Sequence, residues 1–74
     1  MAAEAVSASE ILLNGEPYEL NGRTQLVDLI ARLGMKPARI AVEINQRVVP
    51  KAEYEGTLVA PGDRIEIVNF VGGG

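Results

Sequence analysis

Three glycines close the sequence, Gly72, Gly73 and Gly74, directly after the apolar run Ile65 to Val71. A carboxylate on Gly74 would stand at the end of a stalk with no side chains. Glycine has no Cβ, so such a stalk can enter a slot too narrow for any other residue, and three extended residues reach roughly 10 Å. Gly74 is therefore the candidate functional residue, with Gly72 and Gly73 as the threading segment. A frayed end is the competing reading of the same three residues, since disorder collects at termini.

No other chemistry competes strongly with that carboxylate. The 74 residues contain neither cysteine nor histidine, which removes disulfides, Cys/His metal sites, thiol nucleophiles and the usual general base. The only serines, Ser7 and Ser9, lie in a polar N-terminal stretch, so a Ser-His-Asp arrangement cannot be built. The ten acidic residues show no EF-hand spacing, and most alternate with apolar neighbours as a solvated face does. Such a chain reads as something acted upon by enzymes, with no bound cofactor or metal of its own. The formal charge is −3 and the seven basic residues are scattered, which argues against nucleic acid or an anionic membrane as a partner.

The elements that must hold the tail are legible in order. Hydrophobic residues make up 47% of the chain and only three are aromatic, Tyr18, Tyr54 and Phe70, so Leu, Ile and Val must build a small single core. Ile11 to Leu13 and Glu16 to Leu20 flank Asn14-Gly15, the strongest short hairpin signal. Pro17 marks an edge position. Thr24 is expected to cap a helix whose face is Leu26, Leu29, Ile30 and Leu33, with Asp28 and Arg32 complementing the helix dipole. Gly34 stops it and Pro37 forbids continuation.

Beyond the helix, Ile40, Val42 and Ile44 alternate with Ala41, Glu43 and Asn45 as a half-buried strand, and Val48-Val49 forms a short strand ending at Pro50. Lys51 to Glu55 reads as a single turn that folds Tyr54 back onto the core. Pro61-Gly62 has the order of a type II turn and delivers the chain into a final, central strand from Arg64 to Val71. If Ile65 and Ile67 face the helix, Glu66, Val68 and Phe70 face away from it. An exposed Phe70 beside the tail suits a docking patch, with Val68 as its open companion; covering the hairpin is the plainer role for Phe70.

Asn14-Gly15, Ala41-Val42-Glu43-Ile44-Asn45, Val48-Val49-Pro50, Gly62-Asp63-Arg64-Ile65-Glu66-Ile67-Val68 and the terminal glycines occur here in one order and at one spacing. Together they resemble the ThiS family, the sulfur carriers of thiamine biosynthesis, over about residues 11 to 74. The resemblance implies an α+β β-grasp (ubiquitin-like) fold, a mixed sheet curled around one helix. It divides the chain into a disordered lead-in, 1–9, a β-grasp domain, 10–71, and a flexible glycine tail, 72–74. Tyr54 stands where members often carry Trp, and Asn69-Phe70 make the strand end bulkier than usual.

The same resemblance implies the chemistry. A terminal carboxylate with a pKa of ~3.3 is ionised at neutral pH and offers a poor leaving group, so it must first be activated. In the family a ubiquitin-activating-like adenylyltransferase (ThiF type) joins the last glycine to AMP from ATP. Sulfur from a donor such as a cysteine desulfurase then replaces AMP, giving a thiocarboxylate that is delivered to thiazole synthase (ThiG type). Mapped here, Gly74 carries the acyl-adenylate and the thiocarboxylate, and ATP belongs to the partner enzyme. A carrier for molybdopterin or cysteine synthesis, or a β-grasp protein-interaction module or ubiquitin-like modifier that never carries sulfur, would share the fold. Met1 to Ser9 has neither a basic n-region nor a long apolar stretch, so a cytoplasmic location is expected.

Overall fold

The computed structural model describes residues 8–70. Seven strands and one helix follow in order: β1 (Glu10–Leu13), β2 (Glu16–Glu19), β3 (Thr24–Gln25), α1 (Leu26–Arg32), β4 (Ile40–Ile44), β5 (Arg47–Val49), β6 (Leu58–Val59) and β7 (Arg64–Asn69). Short 3-10 turns at Pro37–Arg39 and Lys51–Gly56 link them. Five strands form one mixed sheet in the order β2-β1-β7-β4-β5, and β3 and β6 form a separate two-stranded pair. β7 is thus the central strand, parallel to β1 and antiparallel to β4. One face of this sheet wraps the helix, the α+β β-grasp arrangement.

Local chemistry accounts for most of these elements. Asn14 and Gly15 take φ values of 51° and 86°, the pair of left-handed residues that a two-residue hairpin needs to match strand twist. Pro17 sits on β2, an edge strand, where a missing N–H costs no ladder bond. Leu26, Leu29 and Ile30 are buried on the helix face. The helix ends in a Schellman motif: the Met35 N–H donates to the Ile30 carbonyl at 3.1 Å and the Gly34 N–H to that of Ala31 at 3.0 Å, with Gly34 at φ 74°. The Asp63 N–H donates to the Ala60 carbonyl across Pro61-Gly62, with Gly62 at φ 93°, as a type II turn requires.

Two local expectations are corrected. Thr24 does not cap the helix: it pairs with Val59 as part of β3, and its hydroxyl donates to the Gly22 carbonyl at 3.2 Å. Gln25 is the N-cap residue, with no side-chain capping bond, and the Leu26 N–H donates instead to the Thr57 carbonyl at 2.9 Å. A tertiary acceptor satisfies a donor that a hydroxyl would otherwise serve. Asn45 is likewise not a strand residue. It and Gln46 form the β4–β5 turn with φ values of 53° and 70°, a conformation that the Asn of Asn-Gln tolerates and the Gln does not advertise.

The core consists of Ile11, Leu20, Leu26, Leu29, Ile30, Ile40, Val42, Tyr54, Val59, Ile65 and Ile67. No buried polar side-chain atom among the described residues lacks a hydrogen bond. Tyr54 does fold onto the core, its phenol donating to the Ile40 carbonyl at 3.3 Å. Burial pushes this phenol upward from its usual pKa, with the Val42 backbone acting in the opposite sense.

Candidate functional site

The site is built on the carboxyl end of β7, because that strand delivers the chain to the glycines. Its alternation places Ile65 and Ile67 in the core and leaves Glu66 and Val68 in solvent. β4 continues the outer face: Ala41 lies opposite Val68, Glu43 opposite Glu66, and Val48 of β5 opposite Glu43. Val68 is 58% exposed, Phe70 47% and Val48 71%. Three of the four exposed large apolar side chains among the described residues thus stand on or beside one sheet face; the fourth, Leu58, lies on β6.

Phe70, one residue past β7, is held from two sides. Its N–H donates to the Arg39 carbonyl at 2.7 Å, prolonging the β4–β7 ladder beyond the assigned strand. The Lys51 ammonium lies 5.7 Å from the ring centroid, within cation–π range, and donates to the Ile40 carbonyl at 3.1 Å. Phe70 is therefore tied to Arg39 through its backbone and to Lys51 through its ring. Sequence reasoning did not single out Arg39 or Lys51, because only the tertiary fold brings the 3-10 turns beside the strand end. Gly72, Gly73 and Gly74, on which the expected chemistry rests, lie outside the described residues, as does Val71.

The middle and the amino end of β7 are stitched by side-chain amides. Asn14 Oδ1 accepts the Ile67 N–H at 2.8 Å while its Nδ2 donates to the Ile67 carbonyl at 3.2 Å, so one side chain imitates a strand neighbour. Asn45 Oδ1 accepts the Arg64 N–H at 3.0 Å, and Asn45 Nδ2 donates to Asp63 Oδ1 at 3.1 Å. Among the described residues no group of three Asp or Glu side chains could hold a metal ion, and no helix is long and apolar enough to cross a membrane. The described surface offers exposed apolar side chains on or beside the outer sheet face, Val48, Val68 and Phe70.

A five-stranded mixed sheet around one helix, with β7 as its central strand, defines the β-grasp (ubiquitin-like) class. The ThiS family model matches residues 11–74, and the chain belongs to the ThiS family of sulfur carriers. The sulfur carrier protein ThiS of Bacillus subtilis is 35% identical over 63 residues, covering 84% of this chain and 96% of that protein. The crystal structure of the thiamine biosynthesis protein ThiS from Geobacter metallireducens superposes with a TM-score of 0.74 at 28% identity, covering 88% of this chain and 99% of that one. Thiazole synthase of Magnetococcus marinus is 42% identical over 65 residues, 88% of this chain. The chain spans about one fifth of the length of the thiazole synthases it matches.

Proposed function

We propose that this chain is a protein co-substrate: Gly74 is adenylated and converted to a thiocarboxylate that donates sulfur for thiazole formation in thiamine biosynthesis. The observation that carries the reading is a ThiS-family match running through to Gly74, on a domain whose central strand, β7, is the last element before the glycines in the sequence. The thiazole branch is favoured because thiazole synthases contain a segment like 88% of this chain.

In this reading a Gly74 carboxylate oxygen attacks the α-phosphorus of ATP on a ThiF-type adenylyltransferase, and pyrophosphate leaves. The acyl-adenylate replaces a poor leaving group with AMP. A sulfur nucleophile at the oxidation level of hydrosulfide, released from a cysteine desulfurase persulfide by a thiol, then attacks the carbonyl carbon. The C–S bond forms, the C–O bond to AMP breaks, and loss of a proton leaves the thiocarboxylate for a ThiG-type thiazole synthase. The carrier contributes one carbonyl, a stalk and a recognition surface, and the acid–base groups belong to its partners. Phe70 and Val68 belong to that surface, and Gly72 and Gly73 pass through the partner's channel.

Adenylation by the cognate adenylyltransferase, followed as carrier-dependent pyrophosphate release, tests the stalk. Deletion of Gly74 or Gly73→Val abolishes release while leaving the melting temperature unchanged. A Gly73→Val carrier adenylated at the wild-type rate would show that no narrow channel exists.

A further inference from the structure

The outer sheet face contains an arrangement that folding alone does not favour. Glu43 on β4 and Glu66 on β7 are direct cross-strand partners, which sets their Cβ atoms about 5 Å apart, and like charges directly opposite on a sheet are destabilising. Both side chains are exposed, and neither has a hydrogen bond or ion pair among the described residues. A second acidic pair, Glu10 and Glu19, also lies directly opposed across β1 and β2, but there the Ser9 hydroxyl donates to Glu19 Oε2 at 3.1 Å. The Glu43–Glu66 pair has no such side-chain bond, and the nearest cation on its face along β7 is Arg64, two residues before Glu66. The pair is framed by exposed apolar side chains, Val48 directly beside Glu43 on β5 and Val68 two residues beyond Glu66 on β7.

We propose that this face docks the activating enzyme through a cationic side chain of that enzyme, an arginine seated between Glu43 and Glu66, with Val48 and Val68 packed against apolar groups around it. The proposal rests on the sulfur-carrier reading for the identity of the partner, and adds two residues and a chemistry to the docking face. Charge complementarity selects the occupant: two opposed carboxylates repel one another until a cation stands between them, and a planar guanidinium can engage both at once. Apolar flanks would exclude water from the pair and strengthen the contact. The face is continuous with Phe70, where the chain leaves the sheet, so an enzyme seated on it has the glycine tail within reach of its active site.

The test is equilibrium binding of the full chain to the purified adenylyltransferase with ADP present, measured beside adenylation of the same proteins. Glu43→Gln and Glu66→Gln each weaken binding about tenfold, and the double variant weakens it further and flattens its dependence on salt. In adenylation the loss falls on KM with kcat retained. Melting temperature provides the control, because each Gln variant relieves the like-charge pair and melts at or above the wild-type temperature. Wild-type affinity and salt dependence in the double variant would overturn the docking proposal, as would a wild-type chain that does not bind. Binding that depends on both glutamates without any adenylation would uphold the docking face and reject the acyl chemistry.

Discussion

The two faces of β7 are made of alternating residues of one short strand, yet they meet opposite fates. Ile65 and Ile67 point into the helix-covered core and are buried, whereas Glu66 and Val68 stand in solvent beside Glu43, Ala41 and Val48. A period of two lets one strand serve stability on one side and recognition on the other. The division teaches that substitutions on the two faces should separate cleanly in their effects: the inner face changes folding, and the outer face changes binding.

The largest expected effect lies on the inner side. Ile65→Ala, or Leu29→Ala on the helix facing it, removes methyl groups from fully buried positions and is expected to cost about 2–5 kcal/mol in chemical denaturation. That is a large share of the stability of a domain this size. A near-neutral Ile65→Ala would mean that the inner face of the strand is not the core. Asn14→Ala comes next: it deletes both amide bonds to the Ile67 backbone and is expected to cost about 1–3 kcal/mol. Glycine at position 14 keeps the turn conformation but not the bonds, so Asn14→Gly should lose nearly as much.

Tyr54 offers a pH-dependent probe of the same core. Its folded-state pKa is raised by burial, so the fold favours the neutral phenol. The stability contributed in this way is fully present below the unfolded value of about 10, and is lost as pH rises through the folded value. Wild-type protein should therefore lose stability more steeply above about pH 10 than Tyr54→Phe does, while at neutral pH the variant is weaker by about 1 kcal/mol for the lost bond to Ile40. Parallel high-pH profiles would place the phenol in solvent. The smallest effect on folding belongs to the outer face, where Phe70→Ala removes a half-exposed ring and its contact with Lys51. It should cost about 1 kcal/mol or less in denaturation while raising KM in adenylation. Unfolding of Phe70→Ala would make that ring core and move docking elsewhere.

Much of this division was legible in the sequence because the signals were local. Asn14-Gly15, Gly34 and Pro61-Gly62 each name their own backbone conformation, and the alternation around Ile65 and Ile67 names the buried face. What was not legible depended on distant partners. Thr24 looked like a cap because nothing nearby reveals that the Thr57 carbonyl takes the Leu26 N–H. Two-residue β3 and β6 are too short to show a period. Gln46 adopts positive φ without being a residue that prefers it, so the β4–β5 turn lacked a signature. The site divided in the same way: parity exposed Val68 and Phe70, but the pairing of Glu43 with Glu66 requires the β4–β7 register, and the Lys51 contact requires a 3-10 turn folded back beside the strand end.

The central claim is that the carboxyl carbon of Gly74 carries sulfur, and intact-mass spectrometry of the chain incubated with its adenylyltransferase, ATP and a sulfur donor tests it most directly. The account predicts a product in which one oxygen has been replaced by sulfur, with the change confined to the C-terminal peptide. An unchanged mass with an adenylyltransferase shown to be active, or sulfur found on any other peptide, would contradict it.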